Sequence, residues 1–415
     1  MVKEPRPLSV VQLGTPGFPY GLAAMQRILL MCKGLVGAGA RVTVLSSKGV
    51  HTRKGHPGIQ KSGTYEGIAY HYTSPSQFRP DSFVSRNWEK IAGTLGEISY
   101  LFRHRRDTDA ALVYITGEFW LLLYYRILSR LFGFRMLISY VEFRSGFESR
   151  DSWSTRLNDR LFDRYIGRLS DTVLPISEYL ARAVQKEAPK TLQLKSPVIC
   201  DFEEFAIPKE EQPYPYFLFC GSANYLEVIE FVLESFEAVA NKRDFHLHLV
   251  SGGKEADLVS LRKRIAETPS KDRVHLFSNI PRAEIPVQMV NSSALLIPLR
   301  NTIQDEARFP HKIGEYTAAG APIITTGFGE IPWYFRDEES ALIAQSYEIS
   351  AIAEKMQWVA DHPEQARAVG LAGHEVGRAC FDHLAYGQTL YKHIAQLCGK
   401  PAPAQEVPVA ESVVR

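Results

Sequence analysis

Basic and acidic side chains gather around one predicted helix start, in the stretch 308–320. Pro310 suits the first turn of a helix and Gly320 suits its C-terminal end. The sequence therefore predicts a helix from about His311 to Ala319, followed by the apolar strand "PIITT". Backbone amides and the helix dipole attract anions such as phosphate at such a start, and the basic residues there are Arg308, His311 and Lys312.

Glu315 lies one turn inside the same predicted helix, on the face of Lys312. A carboxylate at this position could accept hydrogen bonds from two neighbouring hydroxyls, such as those of a ribose. The spacing equally fits a surface ion pair between Lys312 and Glu315, which would contribute little to stability. The spacing alone leaves both interpretations open.

A glycine-rich loop, "LGTPGFPYG", follows the first predicted strand and precedes a predicted helix at Leu22–Leu35. Gly14, Gly17 and Gly21 allow tight turns and a close approach of the backbone to a ligand. Their spacing differs from the dinucleotide fingerprint, and no Gly-Lys-Ser/Thr follows as in a P-loop. A plain tight turn is the alternative interpretation.

Short apolar strands alternate with segments of helical period along the whole chain, which is typical of parallel, doubly wound α/β sheets. The predicted strands of the first half are Leu8–Leu13, Val42–Leu45, Ile68–Tyr72, Ala111–Ile115, Arg135–Tyr140 and Thr172–Pro175. Those of the second half are Tyr216–Cys220, His246–Val250, Val274–Phe277, Ala294–Pro298, Pro322–Thr325 and Ala341–Ile343.

The pattern restarts after a proline-rich, acidic stretch, so the sequence predicts two Rossmann-like domains. We expect an N-terminal, acceptor-side domain at 1–200, a linker at 201–215 and a C-terminal, donor-binding domain at 216–398, whose last helices could pack on the first domain. A disordered tail is expected at 399–415. Ligands of open α/β sheets bind at the carboxyl ends of the strands, which predicts a central cleft between the two sheets.

The net charge of +2 hides an asymmetry between the halves. Residues 1–200 contain 28 Lys and Arg against 16 Asp and Glu, whereas residues 201–415 contain 20 against 30. The basic half could face a membrane or a phosphorylated acceptor, or could be ordinary solvated surface. Within it, the aromatic stretch 118–135 could form a basic amphipathic helix for membrane docking or a core helix with snorkelling arginines.

The remaining composition argues against several classes of protein. No apolar run approaches the ~20 residues of a membrane span. The residues 1–8 lead into a strand without a signal-peptide core. The five cysteines form no Cys-x-x-Cys pair, which disfavours zinc and disulfides and favours the reducing cytoplasm.

The segment "FPHKIGEYTAAGAPIITT" resembles the donor-binding segment of GT-B glycosyltransferases, specifically glycosyltransferase family 4. The resemblance extends over nearly the whole chain, through "GFPYGLAAMQRILLMCKGLVGAGARVTVLSS", "LSDTVLPISEYLARAV", "SPVICDFEEF", "FHLHLVSGGKEADLVSLRKRI" and "RVHLFSNIPRAEIPVQMVNSSALLIPL". It implies two Rossmann-like domains that face a central cleft.

The resemblance also implies roles for single residues. Glu315 would hold the ribose hydroxyls of a nucleotide-sugar donor, and the amides of 308–312 would take its diphosphate. The segment around Ile280 would border the base, and the loop Gly14–Gly21 would approach the sugar and phosphate. After the strand "MLISY", Glu142 and Arg144 would face the reacting sugar; Glu142 would be the base of an inverting reaction, whereas a retaining one needs no strong protein base.

Two departures from the family's pattern stand out. The family has a second Glu eight positions before Glu315, where this chain has Ala307, so Glu306 or Asp305 would have to contact the sugar. The family also carries an Arg and a Lys near the start of the second domain, whereas the matching "CGSANYLEVIEF" has no basic residue. Lys312, and with it Arg300 or Arg308, would have to supply that charge.

The sequence thus predicts a metal-independent glycosyltransferase without a cofactor other than its nucleotide-sugar co-substrate. It would act, with retention, on a glycan or lipid-linked acceptor in polysaccharide biosynthesis. We expect it in the cytoplasm, at the inner face of the membrane, with no nucleic-acid partner. A sugar-nucleotide epimerase of the same architecture and a non-catalytic scaffold are the alternatives.

Overall fold

The structure, a computed structural model, describes residues 6–15, 17–21, 23–53, 55–56, 58–146, 152–240 and 244–401. It divides into two compact units. The first comprises the chain up to Ile199 and again from His383, and the second comprises Cys200–Asp382. Most of the predicted tail, 402–415, lies outside the described residues.

The first unit contains an eight-stranded sheet in the order β3-β4-β2-β1-β5-β6-β7-β8. All neighbouring strands are parallel except β3 and β4. The central strands are buried along their length, as expected for a sheet covered on both faces. The strands are β1 Ser9–Leu13, β2 Arg41–Ser46, β3 Ser62–Tyr65, β4 Ile68–Tyr72, β5 Ala110–Val113, β6 Arg135–Tyr140, β7 Thr172–Pro175 and β8 Leu192–Gln193.

Five helices connect these strands. They are α1 Ala23–Gly37, α2 Phe83–His104, α3 Phe119–Phe132, α4 Trp153–Tyr165 and α5 Glu178–Glu187. The sheet order reverses between β4 and β5, so right-handed crossovers place α2 to α5 on the face opposite α1. Ser82 and Ser177 cap the starts of α2 and α5 with their hydroxyls, and Gly133 ends α3 in the left-handed conformation.

The second unit contains a six-stranded parallel sheet in the order β11-β10-β9-β12-β13-β14, the arrangement of a dinucleotide-binding fold. Its strands are β9 Tyr216–Ser222, β10 His246–Gly252, β11 Val274–Ser278, β12 Ala294–Ile297, β13 Ile323–Thr326 and β14 Leu342–Ala344. Its helices are α6 Leu226–Ala240, α7 Glu255–Glu267, α8 Glu284–Val290, α9 Ile303–Ala307, α10 Lys312–Ala319, α11 Ile331–Tyr334, α12 Ile349–Asp361 and α13 Pro363–Phe381.

The last helix, α14 (His383–Cys398), belongs to the first unit and packs on α1. The two helices meet at glycines: a Cβ on Gly387 would lie 2.2 Å from the carbonyl carbon of Gly34. The segment 201–215 lies in the second unit, where the Lys209 ammonium donates to the Ser292 carbonyl at 3.2 Å. The boundaries between the units therefore fall at 199/200 and 382/383.

Each of the twelve predicted strands coincides with a strand of the structure, apart from one to two residues at their ends. The sequence analysis missed β3 and β8, which are short edge strands with little apolar content. Both lack the buried apolar run on which the prediction relied, because an edge strand needs to bury only one side.

Candidate functional site

Helix α10 sets the geometry of the predicted donor residues. It runs over Lys312–Ala319 and ends at Gly320, whose φ of 71° lies in the left-handed region, so the predicted helix and its glycine stop are confirmed. The Tyr316 hydroxyl fixes the helix against the sheet, because it accepts a hydrogen bond from the Cys220 amide at 2.9 Å. Cys220 lies near the carboxyl end of β9, so the start of α10 lies at that edge of the sheet.

Lys312 and Glu315 form an ion pair on α10 through the Glu315 Oε2 atom. Both side chains are partly buried, with relative exposures of 29% and 22%. Burial alone would lower the pKa of the Lys312 ammonium, but the Glu315 carboxylate and the Cys220 thiol outweigh it, so the pKa is raised. Lys312 therefore carries a permanent positive charge at the first turn of α10.

Asp305 holds two arginines together beside this helix. Its side chain is only 2% exposed; Oδ2 accepts from the Arg300 backbone amide at 3.0 Å and from its Nε at 3.2 Å, and Oδ1 pairs with Arg308. The pKa of Arg300 is raised, because hydrogen bonding to Asp305 outweighs the effect of burial. A buried carboxylate with two cations keeps both guanidinium groups in fixed positions.

These two arginines reach the loop that lacks basic residues in the sequence. Arg308 lies over the Tyr225 ring at 5.9 Å, and Arg300 Nη1 lies 3.1 Å from Glu227 Oε2. The chain segment 300–308 thus brings positive charge to the loop after β9. The sequence pointed to both arginines but not to the buried Asp305 as the residue that holds them. The available signal was the spacing, because Arg300 lies five positions before Asp305 and Arg308 lies three positions after it.

Two further predicted residues, His311 and Glu306, lie in the segments that flank Arg308. His311 precedes α10 as its N-cap residue and is half-buried. Glu306 is exposed, whereas its neighbour Ala307 is buried. Of the two acids considered for the sugar, Asp305 is buried and paired with Arg300 and Arg308, whereas Glu306 is exposed to solvent.

Ile280 lies on the same edge, three strands away from β12. It follows Asn279, whose φ of 53° turns the chain sharply and whose amide donates to the Ser251 carbonyl at 3.4 Å. The ends of β11 and β10 are thereby joined. The predicted donor residues of the second unit thus lie along the carboxyl ends of β11, β9 and β12, whereas Gly14, Gly17 and Gly21 lie in the first unit.

In the first unit, the glycine loop packs tightly enough to require glycine at two of its three positions. Gly14 has a φ of 72°, and a Cβ there would lie 2.5 Å from the Tyr114 carbonyl oxygen. Gly17 has a φ of 128°, and its Cβ would lie 2.0 Å from Val50. A Cβ on Gly21 would lie 2.4 Å from Met25 Cγ and 2.9 Å from Met25 Cβ, so this position is crowded as well, although its φ is not positive.

A buried acid lies directly behind this loop. The Tyr125 hydroxyl on α3 donates to Glu97 Oε1 on α2 at 3.3 Å and accepts the Gly14 amide. Burial raises the pKa of the Glu97 carboxyl to about 7, although Tyr125 and Lys48 lower it in part. This carboxyl is partly protonated near neutral pH.

The loop after β6 carries the two predicted acceptor-side residues, and the structure brings them together. Arg144 Nη1 donates to Glu142 Oε2 at 2.8 Å. Asp163 of α4 fixes this loop, because its Oδ2 accepts from the Ser145 amide at 2.7 Å and from the Ser145 hydroxyl at 2.6 Å, while Tyr140 donates to Oδ1. Burial raises the pKa of Asp163, and the hydrogen bonds from Ser145 lower it in part.

Among the described residues, no cluster of three or more His, Cys, Asp or Glu has the arrangement of a metal site. No helix in the described ranges is both long enough and apolar enough to cross a membrane.

Comparisons with known proteins agree with this geometry. Residues 201–376 match the family described as "Glycosyl transferases group 1". No curated protein sequence matches the chain.

Similar solved structures include the sucrose-phosphate synthase of Thermosynechococcus elongatus, which is 16% identical with a TM-score of 0.74. A glycosyltransferase from Rickettsia africae is 13% identical with a TM-score of 0.67. Anabaena HepE in complex with UDP-glucose is 13% identical with a TM-score of 0.64. Each likeness covers 94% of this chain and 99% of the other.

The fold and the family match define the class: the protein is a glycosyltransferase with the GT-B fold. Its second unit carries the domain of the group 1 glycosyl transferases, which spans nearly all of Cys200–Asp382. The predicted fold class and transferase class are confirmed, whereas the finer assignment to family 4 stays a prediction.

Proposed function

We propose that the protein transfers a sugar from a nucleotide-sugar donor to a glycan, and that the donor binds at the carboxyl edge of the second sheet. The observation that carries the proposal is the charged cluster within the matched domain. It consists of Arg300, Asp305, Arg308, Lys312 and Glu315. HepE, which shares the fold, was solved with UDP-glucose.

The donor diphosphate would bind between the start of α10 and the arginines. The amides around His311 and the charges of Lys312 and Arg308 supply hydrogen-bond donors and cations at one place. The same groups would stabilise the negative charge that develops on the leaving diphosphate, so no metal is needed for this role. Sequence analysis assigned the diphosphate to these residues.

Glu315 would hold the ribose hydroxyls through the oxygen that does not contact Lys312. Its ion pair uses Oε2, which leaves Oε1 to accept hydroxyl hydrogen bonds. The pair and the ribose role, which the sequence left as alternatives, are therefore compatible. Glu306, the exposed acid, would contact the transferred sugar, and Ile280 would border the base.

The acceptor would bind at the first unit, near the glycine loop Gly14–Gly21 and the loop after β6. The hydrogen bond from Arg144 Nη1 fixes the orientation of the Glu142 carboxylate. Its pairing with Arg144 supports transfer with retention, in which Glu142 and Arg144 orient the reacting groups.

The acceptor we propose is a glycan, free or linked to a lipid at the inner face of a membrane. The excess of basic residues in 1–200 supports an anionic neighbour for this half. The five cysteines, all of them free thiols, support the reducing cytoplasm.

The proposal is tested by measuring nucleotide release with a panel of UDP- and GDP-sugars, with and without oligosaccharide acceptors. A transferase releases nucleoside diphosphate in proportion to the acceptor present. An epimerase would convert the donor without acceptor, and a scaffold would bind it without turnover. Glu315→Ala should strongly reduce nucleotide release and donor-induced thermal stabilisation, whereas Glu267→Ala, which removes the acid of the exposed Lys263–Glu267 pair, should change neither.

A further inference from the structure

Helix α2 exposes a continuous apolar stripe although it belongs to the packed layer of the first unit. The residues of the stripe are Phe83, Val84, Trp88, Ile91, Leu95 and Phe102, each between 52% and 76% exposed. Most are spaced by three, four or seven positions, so they share one side of the helix. Apolar patches of this extent on a protein surface mark a binding surface.

The stripe continues onto the neighbouring helix α3. Trp120, Ile127 and Leu131 are 71%, 49% and 69% exposed, again on one side of the helix. The rings of Phe102 and Phe132 meet at 6.1 Å, so the two helices adjoin at this end. The two sets of residues together are called the α2–α3 face below.

Charge is segregated on α2, α3 and the next helix, α4. Their four acidic residues are all buried; these are Glu89, Glu97, Asp159 and Asp163. None of their basic residues is buried; these are Arg86, Lys90, Arg103, Arg126, Arg130, Arg156, Arg160 and Arg164. Arg105 and Arg106, just beyond α2, add to the positive side. The helices themselves therefore expose apolar and basic side chains, and exposed acids border them at the helix ends, at Asp81, Asp107 and Glu118.

We propose that the α2–α3 face docks the protein on an anionic lipid bilayer, with the apolar stripe inserted between headgroups and the basic residues on lipid phosphates. Amphipathic helices with basic flanks and Trp or Phe on the apolar side bind membrane surfaces in this way. A second copy of the chain fits less well, because two such faces would bring more basic than acidic side chains together.

The rear side of α2 packs on the segments that follow β2 and β4, at the same carboxyl edge of the sheet as the predicted acceptor loops. A Cβ on Gly93 would lie 2.0 Å from the Ser47 carbonyl oxygen, just after β2, and one on Gly96 would lie 2.3 Å from the Thr73 carbonyl oxygen, just after β4. The Thr73 hydroxyl also donates to the Gly93 carbonyl at 3.0 Å. Docking through α2 would therefore hold the carboxyl edge of the first sheet close to the lipid surface, where a lipid-linked acceptor lies; this last step rests on the proposed function, whereas the docking itself does not.

Co-sedimentation of the full chain with vesicles tests the docking. We expect binding to phosphatidylcholine vesicles containing phosphatidylglycerol at low salt, release at high salt, and no comparable binding to pure phosphatidylcholine. Trp88→Ser/Ile91→Ser/Leu95→Ser should weaken the partition more than tenfold. Arg103→Glu/Arg105→Glu/Arg106→Glu should weaken it on the order of a hundredfold, at ~1 kcal/mol for each basic residue.

The matched control removes equally exposed apolar residues from the second unit, as in Val259→Ser/Leu371→Ser, and should bind vesicles like the unaltered protein. Glu315→Ala should also bind normally, so a failure of the donor site and a failure of docking are told apart. Absence of binding to anionic vesicles would overturn the proposal. The proposal would also be overturned, in favour of a second copy, if the unaltered protein failed to bind vesicles and light scattering showed it to be a dimer while the Trp88/Ile91/Leu95 variant was a monomer.

Discussion

The two predicted sides of the reaction are built differently. On the donor side, in the second unit, ion pairs position the charged side chains: Asp305 pairs with two arginines, and Glu315 pairs with Lys312. On the acceptor side, in the first unit, the backbone approaches closely through Gly14 and Gly17, and the buried acid behind the loop, Glu97, is bonded to a phenol instead of a cation.

The unit with the ion pairs is also the one that matches a known family in sequence. The matched family covers 201–376, which lies within the second unit. A preformed cluster of cations suits a diphosphate, which UDP- and GDP-sugars share. The first unit, with its apolar and basic helices, is where we expect the features that select this protein's own acceptor. We therefore expect substitutions in the second unit to impair donor binding and substitutions in the first unit to impair use of the acceptor.

The largest effect is expected from Asp305→Ala, which would leave two guanidinium groups without their common partner. Breaking a buried ion pair costs ~3–5 kcal/mol, and we expect a value near the lower end because both arginines are partly exposed. Urea unfolding measures the loss of stability, and donor binding should weaken with it. Glu306→Gln, on the exposed neighbour, should leave unfolding unchanged; equal destabilisation by both would contradict the role of Asp305.

The next effect concerns pH and belongs to the first unit. Glu97 has a pKa of about 7 in the folded protein against an ordinary value of 4.5, so the folded state binds its proton more tightly. Its contribution to the free energy of unfolding is complete below pH 4.5 and is lost as the pH rises through 7. The loss is about 3 kcal/mol, because each unit of pKa shift corresponds to ~1.4 kcal/mol. Glu97→Gln should remove this part of the pH dependence.

The measurement is urea unfolding of both proteins between pH 4 and pH 8. Glu89 and Asp163, whose pKa values burial also raises, provide a background that both proteins share. The difference between the two curves therefore isolates Glu97. Parallel curves for Glu97→Gln and the unaltered protein would show that Glu97 does not titrate in this range.

Glu315→Ala should lower kcat/KM by an amount equivalent to ~2–3 kcal/mol of transition-state stabilisation. The substitution removes the charged group that accepts hydrogen bonds from the donor ribose. The fold should survive, since Tyr316 and Gly320 position α10 independently of this carboxylate. Steady-state kinetics at varied donor concentration measure the effect. An unchanged rate and donor affinity would remove Glu315 from the donor site.

Asp163→Ala should act on the acceptor and spare the donor, with an expected rise of the acceptor KM by about tenfold for the loss of the Ser145 hydrogen bonds. The donor affinity, measured by thermal shift, should stay constant. Asp163→Asn, which retains one acceptor oxygen, should recover part of the effect. Weaker donor binding in Asp163→Ala would mean that the two sides are not separable.

Sequence reasoning found the donor helix because its signals are local: a proline, a glycine stop and a Lys–Glu spacing occur within eleven residues. It found the glycine loop for the same reason. It did not find Asp305 as the holder of Arg300 and Arg308, because only the fold shows which acid is buried between them. Nor did it find the stripe on α2 or the Glu97–Tyr125 pair, since burial of a long amphipathic helix depends on which side meets the sheet.

The central claim is that the cations at the start of α10 bind a diphosphate, and calorimetric titration of Lys312→Ala tests it most directly. The titrations compare UDP with uridine and GDP with guanosine, for Lys312→Ala and for the exposed-lysine control Lys263→Ala. The account predicts that Lys312→Ala binds the diphosphate ~10–100-fold more weakly and the nucleoside almost unchanged, while Lys263→Ala loses neither. Equal weakening of nucleoside and diphosphate, or no weakening of either, would contradict it.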